Sequence, residues 1–110
     1  MSFYKIEKDN IFKIEKAISI EEFDCILKNE NIVIERIISP NSDNPNAGWY
    51  NQEWDEWVML VQGNAKLEYD DKSTIDLSIG DTLLIKKNTK HRVIYTFSES
   101  ITIWLAIHIK

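Results

Sequence analysis

From Ile32 onward the chain is a series of short, β-branched and apolar segments, each closed by a turn signal, with no helical pattern between them. The segments are Ile32–Ser39, Glu56–Gln62, Ala65–Tyr69, Thr74–Leu77, Thr82–Lys86, His91–Phe97 and Ile101–Ile109. The breaks are a polar loop from Pro40 to Gly48, then Gly63-Asn64, Asp70-Asp71-Lys72, Gly80-Asp81, Asn88 and Ser98-Glu99-Ser100. Strands this short, at this spacing, build an antiparallel sandwich or barrel. The expectation is an all-β fold over about residues 31–110.

The first thirty residues read differently. Ser19 and Glu22 are spaced as a capping box, and Ile18 and Phe23 as the hydrophobic staple across it. Phe23, Ile26 and Leu27 fall on one helical face, and Asn29 and Asn31 follow as a stop. The spacing predicts a short helix in an N-terminal extension of about residues 1–30. Cys25 falls beside the predicted apolar face as a half-buried, unreactive thiol, because no basic residue flanks it.

Composition bounds the rest. A chain of 110 residues with 44% hydrophobic content is one domain with a core and no need of disulfides. One cysteine cannot pair within the chain, which points to a reducing, cytoplasmic compartment. The charged N-terminus offers no apolar signal-peptide core, and no apolar run reaches the ~20 residues of a membrane-spanning helix. A net charge of -5 disfavours nucleic acid and anionic membrane as partners. The segments Trp57–Val61 and Ile101–Ile107 barely alternate. Strands apolar on both faces need an outer cover. A second copy of the chain supplies one, so a homodimer is expected.

Two glycine-anchored stretches carry the candidate site. In the first, Glu56 precedes Gly63 within Trp49-Tyr50-Asn51-Gln52 … Asp55-Glu56-Trp57-Val58 … Gly63. In the second, Gly80-Asp81 leads to His91-Arg92-Val93. This layout resembles the two motifs of the cupins, G-x5-H-x-H-x3,4-E-x6-G and G-x5-P-x-G-x2-H-x3-N. Glu56, Gly63, Gly80 and His91 match. Tyr50 and Gln52 stand at the histidine positions with the shorter spacing, Trp49 and Asn51 with the longer. Tyr50 and Gln52 are preferred because they share strand parity with Glu56. Asn44 stands at the opening glycine, Lys86 at the proline, Asn88 at the second glycine and Tyr95 at the asparagine. Asn88 is a mild change, because Asn tolerates a left-handed turn. The ending Trp104-Leu105-Ala106-Ile107-His108 completes a resemblance to short single-domain bacterial cupins of unassigned function, with degenerate metal motifs. The resemblance spans Ile32 to Ile109. It implies a jelly-roll β-barrel and a family in which one divalent metal (Zn, Fe, Mn or Ni) is a common cofactor.

Such metals take three or more protein ligands. Glu56 and His91 supply two, and His108, which shares parity with Trp104 and Ala106, is the candidate third. Without a metal, Glu56 and His91 still form a proton donor and acceptor pair, with Tyr50 and Tyr95 as phenol donors. Trp49 and Trp54 flank the expected mouth, where aromatic faces suit a sugar ring or another planar ligand. Lys86, Lys87, Lys90 and Arg92 form a basic run nearby, read as a solvated hairpin. The sequence thus predicts a pocket lined by Tyr50, Gln52, Glu56, His91, Tyr95, Trp49 and Trp54 that binds a small molecule, with weak or absent metal. The alternative is a metal-dependent or His/Tyr acid–base enzyme acting on a small polar substrate such as a sugar derivative.

Overall fold

The computed structural model describes residues 7–40, 48–96 and 101–110. Eight strands follow in chain order: β1 Glu22–Lys28, β2 Ile32–Ser39, β3 Asp55–Gln62, β4 Ala65–Tyr69, β5 Thr74–Leu77, β6 Thr82–Ile85, β7 His91–Thr96 and β8 Thr102–Ile109. All pairings are antiparallel. They form a five-stranded sheet, β1-β2-β8-β3-β6, and a three-stranded sheet, β5-β4-β7. The seven strands expected from Ile32 onward are present, each within one residue of its expected bounds. The predicted barrel takes the form of these two sheets. No ladder among the described residues closes them into one. Most of the Pro40–Gly48 loop and the Ser98-Glu99-Ser100 turn lie outside the described residues.

Residues of both sheets share one core. Ile37 of β2, Val58 and Leu60 of β3, Trp104 and Ala106 of β8 and Ile85 of β6 meet Ala65, Leu67, Leu77 and Val93 of the smaller sheet. On β3, the buried positions Glu56, Val58 and Leu60 alternate with half-buried Trp57, Met59 and Val61. That alternation is the period of two that puts successive side chains on opposite faces. The candidate glutamate therefore enters the interior on the same face as the core.

The predicted N-terminal helix is not formed. Residues 22–28 are strand β1, paired with β2 from Glu22↔Ile38 to Lys28↔Val33. A helix this short is marginal in water, since its nucleation cost is spread over too few bonds. The open edge of β2 instead gives the backbone a complete ladder. Asn29, expected as a helix stop, makes the hairpin turn: its side-chain oxygen accepts from the N–H of Asn31 at 2.8 Å and of Ile32 at 2.9 Å. Asn29 also donates its own N–H to the carbonyl of Ile32. Cys25, expected half-buried, is exposed on this edge strand. Ile26 is an extra residue opposite β2, and such a bulge blunts an exposed sheet edge. Arg36 of β2 anchors the chain before β1. It donates to the carbonyls of Ile11 and Lys13 and forms an ion pair with Asp24 at 2.6 Å.

Candidate functional site

The site begins with a join between chain segments. Tyr50 forms an isolated antiparallel bridge with His91, at 2.7 Å and 3.0 Å between backbone groups. The N–H of Asn88 reaches the carbonyl of Gln52 at 2.6 Å. Asn88 holds φ 61, the left-handed conformation expected where the family motif carries glycine. The Tyr50–Gln52 segment is thereby fixed beside the start of β7. Its side chains join those of β2, β3 and β8 around a cavity of about 130 Å³.

Four of the predicted pocket residues, Tyr50, Gln52, Glu56 and His91, line this cavity, and so does the candidate ligand His108. Glu56 and His108 are direct cross-strand partners. Gln52 donates to Glu56 Oε1 at 2.9 Å. His91 is buried, and its Nδ1 lies 2.8 Å from the carbonyl oxygen of Thr89. A carbonyl only accepts, so Nδ1 carries the proton and neutral His91 has its lone pair on Nε2. The Tyr50 and His91 rings are 5.6 Å apart.

His108 is held from both sides. Trp54 donates its indole N–H to Nδ1 at 2.9 Å, and Nε2 lies 2.7 Å from Glu35 Oε1. The Glu35 hydrogen bond raises the His108 pKa above its ordinary value of 6.5, with burial opposing it and the Glu56 charge adding to it. The Trp54 bond acts the other way, because an indole N–H can donate only to a bare Nδ1. Protonation of His108 must therefore displace Trp54.

The remaining predicted residues lie elsewhere. Tyr95 is exposed beside Lys66 and does not line the cavity. The register of β7 on β4 shifts at Ile94, so Tyr95 faces out and Thr96 is buried. Parity counted from His91 and Val93 would have turned it inward. Trp49 is 38% exposed, with the Arg92 guanidinium 4.4 Å and the Lys90 ammonium 5.3 Å from its ring. Trp54 acts through His108 and carries the Lys110 ammonium over its face at 4.4 Å. Of the basic run, Arg92 is also paired with Glu68 at 2.6 Å.

Two glutamates of the site were not foreseen. Glu35 sits on the inward parity of β2 between the apolar residues Val33 and Ile37. That was a readable signal. Glu21 precedes β1 and accepts from Tyr50 Oη at 2.8 Å and Ser39 Oγ at 3.0 Å. It was hidden by the helix assignment. Ser39 in turn accepts from the Trp104 indole at 3.2 Å.

The candidate metal ligands do not fit a metal centre. No group of three or more His, Cys, Asp and Glu side chains is placed to share an ion among the described residues. His108 spends both ring nitrogens on Glu35 and Trp54, leaving Glu56 and His91 as a pair below the usual ligand count.

Comparison with known proteins places this architecture. Residues 38–108 match the family model of the cupin domain. A crystal structure of a "putative mannose-6-phosphate isomerase" from Ralstonia eutropha JMP134 is 34% identical, with a TM-score of 0.83, over 94% of this chain and 98% of that one. A cupin superfamily protein from Desulfitobacterium hafniense DCB-2 shares the fold at 16% identity and TM-score 0.71, over 87% and 83% of the two chains. Hydroxypropylphosphonic acid epoxidase from S. wedmorenis, in complex with fosfomycin, shares it at 11% identity and TM-score 0.71, over 81% of this chain and 51% of that one. No curated protein matches the chain. With the domain matched from residue 38 to 108 and a relative aligned over nearly its whole length, the chain belongs to the cupin family.

Proposed function

We propose that the protein binds a small polar molecule in the cavity between its two sheets. The observation that carries this reading is the lining. Glu21, Glu35, Glu56, His91 and His108 converge there above a floor of Ile37, Leu67, Ile85, Val93 and Trp104. A concave, mostly apolar surface with a few convergent polar groups is the usual form of a small-molecule site. The test is an NMR screen of small polar fragments read on the indole N–H of Trp104, a residue that lines the cavity, and on the His91 ring. Hits are expected to shift both resonances. Hits that shift only the exposed Trp49 indole, or no hits at millimolar concentration, would contradict the reading.

One observation favours a second reading, acid–base catalysis on a sugar derivative. Buried His91 offers a bare Nε2 to the cavity beside the Tyr50 ring, and the Ralstonia relative is named for a sugar-phosphate isomerase. A base of this kind removes a carbon-bound proton and returns it from solvent. The reading predicts deuterium incorporation from heavy water into an aldose, lost in His91→Gln. An absence of incorporation across a panel of aldoses and ketoses would leave binding alone.

A further inference from the structure

We infer that the ligand of this cavity is a compact organic cation, an ammonium or similar hydrogen-bond donor on a small apolar body. The inference rests on the reading of the cavity as a binding site and follows from counting donors and acceptors in its wall.

The donors are largely used within the protein. The Tyr50 hydroxyl donates to Glu21, the Trp104 indole to Ser39, and the Trp54 indole to His108. With Nδ1 accepting from Trp54, the His108 proton is on Nε2 and goes to Glu35. Gln52 gives one amide hydrogen to Glu56 and keeps one. The acceptors are not used up. Glu35 and Glu56 each accept through Oε1, and Oε2 of each has no partner among the described residues. His91 is 4% exposed, and its Nε2 also lacks a partner there. Every fully buried polar side-chain atom among the described residues has a hydrogen bond, so these three atoms keep some accessible surface, and all three residues line the cavity.

Charge points the same way. Glu21, Glu35 and Glu56 line the cavity with His91 and His108, and among the described residues neither Lys nor Arg does. The cations beside the site lie on indole faces, Lys90 and Arg92 on Trp49 and Lys110 on Trp54. A phosphate or carboxylate inside would face carboxylates across a low-dielectric gap with one amide hydrogen to receive it. An ammonium would meet three acceptors, two of them charged. Size and floor complete the description. An apolar cavity of about 150 Å³ holds benzene, so about 130 Å³ over Ile37, Leu67, Ile85, Val93 and Trp104 admits an apolar body of that order. A metal ion is also a cation, but it would leave that apolar floor uncovered and finds no three-ligand cluster among the described residues.

The test compares three probes of one shape, benzylammonium, benzyl alcohol and benzoate, by calorimetric titration with the Trp104 indole resonance as the locator. Benzylammonium is expected to bind in the cavity at least about tenfold more tightly than benzoate, with the alcohol between, as a charge-assisted hydrogen bond implies. Glu35→Gln and Glu56→Gln should each weaken benzylammonium about tenfold and leave the alcohol unchanged. The wild-type comparison stands even if a variant does not fold. Benzoate binding in the cavity as tightly as benzylammonium would overturn the cation inference and leave the binding site standing. Zinc chloride alone shifting the Trp104 and His91 resonances at lower concentration than benzylammonium would overturn it in favour of a metal. No cavity shift with any probe would overturn the inference and the reading beneath it together.

Discussion

Gly63 closes β3 at φ 95, a conformation L side chains avoid. A β-carbon there would collide with Thr102 Oγ1 and stand 2.9 Å from the Thr102 Cα. Gly80 has a similar φ of 88, with nothing within 4 Å of the same added atom. The two positions separate backbone strain from steric contact. Gly80→Ala is expected to cost about 1 kcal/mol, the conformational term alone. Gly63→Ala should cost more, about 2–4 kcal/mol, because Thr102 is buried backbone that cannot step aside. Urea denaturation of both variants checks this, and equal midpoints would contradict it. His108 supplies a pH test. Its folded pKa is raised, first by the Glu35 hydrogen bond. A raised pKa means the folded state binds the proton more tightly than the unfolded one. That contribution is full below the unfolded value of about 6.5 and fades as pH rises through the folded value. The stability gap between wild type and His108→Gln should therefore narrow from pH 5.5 to pH 8.5. A gap that widens would show that the Trp54 bond to neutral His108 dominates.

At the scale of elements, Asn29 decides the entry to the larger sheet. Its side chain caps two N–H groups of the β1–β2 turn, so Asn29→Ala should cost about 1 kcal/mol in denaturation. No change would show the turn is held by the ladder alone. This turn also marks where sequence reading failed. Capping residues at Ser19 and Glu22 and a helical apolar spacing describe a local preference. Glu22 instead pairs with Lys16 at 2.6 Å, and its backbone joins a ladder whose partner lies sixteen residues on. Long-range pairing of this kind leaves no local signal. The strands from Ile32 onward were legible because turn residues and alternation are local. Glu56 and His91 were legible through the two glycine-anchored motifs that resemble those of the cupins, and His108 through its parity with Trp104 and Ala106 on one unbroken strand. Tyr95 was placed in the pocket by its motif position, but a bulge at Ile94 turns it outward, and one extra residue has no signature in the composition of a strand. Glu21 was lost with the false helix.

For the molecule as a whole, the outer face of the larger sheet bears on assembly. Trp57 and Met59 of β3 stand opposite Ile107 and Leu105 of β8, all half-buried, and Leu84 of β6 is 47% exposed beside Trp57. Apolar positions across three adjacent strands are costly to leave in water. If the chain dimerises as expected from sequence, this face is the proposed interface. Sedimentation equilibrium is expected to give twice the chain mass, and Trp57→Glu to halve it. A wild-type monomer at micromolar concentration would contradict that arrangement.

The cavity lies on the opposite face of the same strands. Glu56, Trp104, Ala106 and His108 point inward between the residues that point out. Site and outer face are thus two sides of one sheet. The proposed binding site is the inner side. Its most direct test is a crystal structure with the strongest hit of the fragment screen. The account predicts ligand density between the sheets, within hydrogen-bond distance of Glu35, Glu56 or His91. Density on the outer face or at the Trp49 rim, with the cavity unchanged, would contradict it.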